Sequence, residues 1–102
     1  MSREPVEFYR DEHGRPRARG VDTQLAAYLE TDCQSSTHFI NELLGAIESG
    51  ERTDIIGNAH ELTLDGSRAT ITALHDDRLP ERHLSTHYLR DTLRGWLNFV
   101  TD

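Results

Sequence analysis

The residues of this chain with the clearest potential for chemistry are three polar side chains near its end. His83, His87 and Asp91 are spaced four residues apart, so they would share one side of a helix. Two ligands at this spacing can bind one zinc ion, but Asp91 lies a further turn away and no second segment has matching His or Cys spacing. We therefore predict no metal site and no cofactor, and solvated polar residues at a helix start.

Two other residues could act in catalysis. His60 lies on the apolar side of an alternating segment, where it is either a histidine at the edge of the core, hydrogen-bonded to the backbone, or a catalytic base, and we favour the first. Cys33 is the only cysteine, so it forms no internal disulfide or thiolate metal site, and we predict a small half-buried side chain. Because no glycine-rich phosphate loop is present either, the sequence predicts no catalytic residues and no enzyme.

The charged residues are distributed unevenly along the chain. The net charge is −7, and the segment from Asp22 to Asp65 contains nine carboxylates and a single cation, Arg52. The other arginines lie before Gly20 or after Ser67. Because binding to phosphates begins with a basic surface, this balance argues against nucleic acid as a partner.

The element that organises the predicted fold is an alternating segment over residues 57–74. Asp65-Gly66 predicts a two-residue type I′ turn, which would place Leu62 opposite Ala69 and His60 opposite Ile71. The apolar residues then share one side of the hairpin, and the other side is exposed to solvent or available to a partner. That polar side consists of Glu61, Thr63, Arg68, Thr70 and Thr72.

The remaining elements are predicted from turn residues, helix caps and apolar spacing. A first hairpin covers residues 4–10 and 15–19, and a polar connector covers residues 75–82. Three helices are predicted: residues 23–31 after Asp22, residues 37–49 between Ser36 and Gly50, and a last helix from the cap Ser85 to about Val100.

The predicted fold is a single α+β domain over residues 1–102, because the chain is too short for a second core. A small antiparallel sheet built from two β-hairpins packs against three helices, in the order ββ-α-α-ββ-α. Leu62, Ile71 and Trp96 are predicted to be buried in one core. No apolar run approaches the ~20 residues of a membrane span and no charged-then-apolar leader is seen, so we expect a cytoplasmic protein without a membrane partner.

Three short motifs resemble those of known bacterial families. They are Val6-Glu7-Phe8-Tyr9-Arg10-Asp11 with Gly14, Gly57-Asn58-Ala59-His60-Glu61-Leu62-Thr63-Leu64, and Trp96-Leu97-Asn98-Phe99-Val100. In this order they are similar to the small YacL-type bacterial proteins, which are uncharacterised and cytoplasmic, and to small immunity proteins of contact-dependent growth inhibition systems. The resemblance implies a protein without catalytic residues.

Two functions remain open. The first is an immunity or antitoxin-type binding protein, a monomer or weak dimer, that neutralises a basic nuclease toxin domain through an acidic surface. The second is a YacL-like cytoplasmic accessory protein without a toxin partner, in which the acidity only keeps the domain soluble. For the first function, the predicted partner-binding residues are Glu30, Asp32, Glu42, Glu48, Asp54 and Glu61.

Overall fold

Two separate antiparallel sheets form the β-structure. The computed structural model describes residues 5–102. In it, a two-stranded sheet contains β1 (Glu7–Arg10) and β2 (Pro16–Arg19). A four-stranded sheet contains, in spatial order, β3 (Thr53–Ile56), β4 (His60–Asp65), β5 (Arg68–Ala73) and β6 (Arg82–Ser85). The predicted α+β class is therefore confirmed, but the two-hairpin order is corrected to ββ-α-α-ββββ-α.

The two strands that the sequence prediction lacks are the edges of the larger sheet. β3 and β6 have four residues each and pair with the longer central strands β4 and β5. The sequence prediction assigns no element to residues 53–56, and it splits β6 between the polar connector and a helix cap. Pairing with a formed central hairpin stabilises such short edges, although neither is long enough to show a clear alternating pattern of its own.

The turn of the central hairpin differs from its prediction by one position. Asp65 pairs with Arg68, so the loop is Gly66-Ser67, and Gly66 has a φ of 63°. A positive φ at the first loop residue alone is typical of a type II′ turn, whereas the predicted type I′ turn needs two. The register moves by two residues and places Leu62 opposite Ile71. Because side chains alternate with a period of two, the predicted inward and outward faces are unchanged.

Each helix begins after its predicted capping residue, and the cap side chain accepts a backbone N–H in every case. The helices and their caps are α1 (Thr23–Tyr28) after Asp22, α2 (Thr37–Ser49) after Ser36, and α3 (Thr86–Thr101) after Ser85. Gly50 ends α2 in the predicted left-handed conformation, with a φ of 73°. None of the described helices is long and apolar enough to span a bilayer.

The chain widens into a π-helical turn where the sequence predicts that the first helix continues. After α1, the segment Leu29–Cys33 is π-helical and closes with a hydrogen bond from Gln34 N to Leu29 O of 2.7 Å. Gln34 follows with a φ of 49°, a conformation that is uncommon for a residue other than glycine. We refer to residues 29–34 as the anchor segment.

One core joins the helices to the inner face of the larger sheet. Leu62, Ile71 and Trp96 are all fully buried in it, as predicted. The Trp96 ring also contacts Phe8 of β1, with ring centroids 5.2 Å apart, so the small sheet packs on the same core. The buried residues of the larger sheet lie on one side only, and no other element of residues 5–102 covers its opposite side.

Candidate functional site

The six carboxylates predicted to bind a partner fall in three different places. Glu30 and Asp32 belong to the anchor segment, Glu42 and Glu48 to α2, and Asp54 and Glu61 to the larger sheet. Their hydrogen bonds and exposure decide which of them a partner could reach.

The carboxylate of Glu30 is committed to the small sheet. Its Oε2 atom accepts hydrogen bonds from Arg17 Nε at 2.6 Å and from Ala18 N at 2.9 Å. Both donors belong to β2, so Glu30 attaches the first hairpin to the anchor segment. Hydrogen bonds to an ionised acceptor are stronger than neutral ones, and they hold this side chain in place.

The carboxylate of Asp32 lies inside the protein. Its Oδ2 atom accepts from Ala59 N and His60 N, both at 3.1 Å, and its Oδ1 atom accepts from His60 Nδ1 at 2.8 Å. The side chain has no exposed surface. Because an interior carboxylate cannot contact a partner protein, Asp32 is removed from the candidate set and instead fastens the anchor segment to the start of β4.

His60 is buried on the inner side of the sheet, as predicted, but its hydrogen-bond partner is different. The imidazole donates to the Asp32 carboxylate instead of bonding to the backbone, and its ring meets Tyr28 edge-on at 5.8 Å. A carboxylate that orients an imidazole also occurs in catalytic dyads. Among residues 5–102, however, no hydroxyl or thiol hydrogen-bonds to His60 Nε2, so the geometry supports a positioning role.

The side chain of Cys33 is fully buried, rather than half-buried as predicted. Burial raises the pKa of its thiol far above the usual range, and the neighbouring Asp32 carboxylate adds to this effect. The thiol therefore stays protonated, and a protonated thiol is a poor nucleophile. In the structure Cys33 is a small apolar component of the core.

His83, His87 and Asp91 do not converge on one point. His83 lies in β6, where Nδ1 is 3.1 Å from Thr70 Oγ1, and His87 Nε2 lies 3.3 Å from Asp91 Oδ2 within α3. Ser85 caps the helix and thereby leaves His83 outside it. Within the described part of the chain, no cluster of three or more His, Cys, Asp or Glu side chains has the arrangement of a metal site.

The two carboxylates of α2 are exposed on the helical side of the molecule. Glu42 pairs with His38 one turn earlier, at 3.2 Å. Glu48 lines a groove of about 490 Å³ between α2 and α3, and this groove also contains Arg90 and Arg94. The surroundings of Glu48 therefore carry charges of both signs, so this part of the surface is not uniformly acidic.

The uncovered side of the four-stranded sheet combines the last two predicted carboxylates with a row of hydroxyl groups. The register places Asp54, Thr63, Thr70 and His83 next to one another across the four strands. The next row contains Ile56, Glu61 and Thr72. We call this side the outer face; its residues in the strands are Asp54, Ile56, Glu61, Thr63, Asp65, Arg68, Thr70, Thr72, His83 and Ser85.

The carboxylates of the outer face have few internal partners. Asp54 has a loose contact with Arg52 at 3.6 Å, and Glu61 has no ion pair or hydrogen bond with any side chain of the described residues. Glu81, which precedes β6, accepts weakly from Thr72 Oγ1 at 3.4 Å and lies 3.6 Å from His83 Nε2. Unlike Glu30 and Asp32, these acceptors remain available to an external donor.

The sequence prediction found half of the outer face. Alternation along the central hairpin indicated that Glu61, Thr63, Arg68, Thr70 and Thr72 share the polar side. They do lie on one side, although the pairing is shifted by two residues from the predicted one. The sequence prediction did not include Glu81 or His83, because they were assigned to a connector and a helix start. A strand pattern over residues 82–85, in which only Leu84 is buried, would have been the signal.

Comparison with known proteins gives no relative for this chain. No protein-family model matches it, and neither the curated proteins nor the solved structures contain a significant match.

Proposed function

We propose that this protein is an immunity-type binding protein that neutralises a basic protein partner, of the nuclease toxin class, by covering it with the outer face. The observation that carries the proposal is the uncovered sheet face, on which Glu61 has no side-chain partner among the described residues and Asp54 has only a loose contact with Arg52. A nuclease needs a cationic groove to hold its substrate. The carboxylates of the outer face outnumber its one cation, Arg68, so together with the hydroxyl acceptors they complement such a groove.

The charge of the whole chain favours the same kind of partner. A net charge of −7 on 102 residues attracts a cationic protein over a distance and increases the rate of encounter. Within contact distance, threonine hydroxyls and carboxylates can accept hydrogen bonds from lysine and arginine side chains. The proposed contacts are Asp54 and Glu61 from the sequence prediction, together with Glu81.

The experiment has two steps. The tagged chain is purified from the cells that produce it, and any stoichiometric partner is identified and prepared separately. We expect a partner with a pI above about 9 whose nuclease activity is lost on adding an equimolar amount of the chain. An acidic partner, no stoichiometric partner, or a nuclease that stays fully active in the complex would contradict the proposal.

A matched pair of variants then locates the binding surface. Reversing two charges on the outer face, Asp54→Lys with Glu61→Lys, is compared with reversing two on α2, Glu42→Lys with Glu48→Lys. We expect the outer-face variant to weaken binding at least about a hundredfold and to flatten its dependence on salt. The α2 variant should change mainly the association rate. If the α2 variant weakens binding more than the outer-face variant, the binding surface lies on the helices.

A further inference from the structure

Glu61 is the most central carboxylate of the outer face. It lies on β4, an inner strand of the sheet, and its side chain is partly buried. No residue of the described chain neutralises it by an ion pair. A partly buried carboxylate is less well hydrated than a fully exposed one, so an unpaired carboxylate here gains more from an external cation than one on a helix surface does.

Two aliphatic side chains lie next to this carboxylate and are unusually exposed. Ile56 is directly opposite Glu61 on β3 and is 69% exposed, and Leu74, which directly follows β5, is 38% exposed. Leu74 N donates to Ala59 O, so the β5 end continues beside β4 and Leu74 is a diagonal neighbour of Glu61. Cross-strand neighbours are about 5 Å apart and diagonal neighbours about 7–8 Å apart. Ile56 and Leu74 therefore flank the Glu61 carboxylate on its two sides, and a long side chain that pairs with Glu61 lies within reach of both.

We propose that Glu61, Ile56 and Leu74 form a binding site for a single arginine side chain of the basic partner. This inference rests on the proposed function and names the group that the outer face recognises. The aliphatic stem of the arginine packs on Ile56 and Leu74, and its guanidinium group lies over the sheet and pairs with the Glu61 carboxylate. Apolar contact near the stem and charge at the head match the two parts of this side chain.

Arginine fits this site better than lysine for a geometric reason. The guanidinium group is planar and donates two parallel hydrogen bonds to one carboxylate, whereas the lysine ammonium group is a compact, strongly hydrated charge. The uncovered sheet surface leaves room for a planar group, and the exposed Ile56 side chain shields the ion pair from water on one side. The site is therefore expected to discriminate between the two cations.

The experiment uses small probes on the intact chain. ¹⁵N-labelled protein is titrated with acetyl-arginine amide, acetyl-lysine amide and the uncharged analogue acetyl-citrulline amide, and amide shifts are recorded by NMR. We expect saturable shifts at Ile56, Glu61 and Leu74 with the arginine probe, and binding at least about threefold weaker with lysine. Citrulline should produce no saturable shifts.

Two variants make the result specific. Glu61→Gln should weaken arginine binding at least about tenfold, whereas Glu48→Gln, at an exposed carboxylate of α2, should leave it unchanged. Equal shifts around all carboxylates, equal affinity for lysine, or insensitivity to Glu61→Gln would overturn the inference.

Failure of this site can be distinguished from failure of the proposed function. If a basic nuclease is bound and inhibited but Glu61→Gln binds it normally, the arginine site is wrong and the proposed function stands. If the arginine probe binds at Glu61 but the cells yield no basic partner, the proposed function is wrong and the arginine site stands.

Discussion

Two pairs of carboxylates in this protein occupy contrasting surroundings. Glu30 and Asp32 in the anchor segment accept hydrogen bonds from β2 and β4, and the Asp32 side chain is completely enclosed. Asp54 and Glu61 on the outer face have no comparable internal donors. The same residue type therefore holds the fold together in one region and remains open to a partner in the other.

This difference shows why net charge alone does not locate a binding surface. Nine carboxylates between Asp22 and Asp65 suggest one acidic region, yet the structure uses at least Glu30 and Asp32 to satisfy its own N–H groups. A buried carboxylate with donors is costly to alter, whereas an exposed one contributes little to folding. Stability and binding measurements should consequently separate the two pairs.

Removing a core contact of the anchor segment should have the largest effect. The buried Trp96 donates from Nε1 to Gln34 O at 2.7 Å, which ties α3 to the anchor segment. We expect Trp96→Ala to reduce the free energy of unfolding by about 3–5 kcal/mol in urea denaturation. A loss below about 1 kcal/mol, or red-shifted native tryptophan emission, would be inconsistent with this packing.

The direct comparison is between one carboxylate of each region. Asp32→Ala leaves three N–H donors, two of them buried, without their acceptor, so we expect it to cost about 3 kcal/mol of unfolding free energy. Asp54→Ala on the outer face should change stability by less than about 0.5 kcal/mol. Similar losses of stability for the two variants would show that the fold depends on both carboxylates alike.

A glycine pair tests how tightly the Asp32 carboxylate is held. A Cβ atom at Gly57 would overlap the Asp32 carboxylate, while one at Gly45 in α2 has open space around it. We expect Gly57→Ala to destabilise the protein by about 1–3 kcal/mol. Gly45→Ala should stabilise it by about 0.5–1 kcal/mol through helix propensity. If thermal denaturation shows Gly57→Ala to be the more stable variant, the Asp32 carboxylate has room to move.

A third carboxylate, Asp22, stabilises the fold in a way that depends on pH. Burial by itself would raise the pKa of Asp22, but hydrogen bonds from Arg82 and Tyr88 outweigh burial and hold this pKa below its usual range. A lowered folded-state pKa stabilises the fold above the unfolded value of about 3.9, and this contribution disappears as the pH falls through the folded value.

Asp22→Asn isolates this charge because asparagine is also a good helix cap. The variant should be less stable than the original chain by about 1 kcal/mol at pH 7, and the gap should narrow towards pH 3. Urea denaturation midpoints of both proteins at pH 7 and pH 3 measure this difference in stability. A gap that stays constant or widens in acid would show that the carboxylate charge does not contribute.

Much of the fold followed from local patterns. The three caps Asp22, Ser36 and Ser85, and the burial of Leu62 and Ile71, were predictable because caps and alternation depend on residues close in sequence. The edge strands were not predictable, since each has only four residues and is stabilised by a neighbour already in place. The type II′ turn at Gly66-Ser67 was missed because the dipeptide Asp65-Gly66 is itself typical of a type I′ loop.

The candidate site was predictable only in part. The polar side of the central hairpin, including Glu61, was visible in the alternation of the sequence. The internal role of Asp32 was not, because its donors Ala59 and His60 lie 27 and 28 residues further along the chain. Tertiary contacts decide which carboxylates are buried, and local sequence patterns do not reveal those contacts.

The anchor segment also has a consequence for the order in which the newly made chain matures. Its partners in β2, β4 and α3 are separated from it by 12, 28 and 62 residues for Ala18, His60 and Trp96. Contacts over such separations form only after long loops close. While α3 is still inside the ribosomal tunnel, the anchor segment lacks its Trp96 partner. We therefore expect the contacts of the anchor segment to be completed only once α3 has left the tunnel.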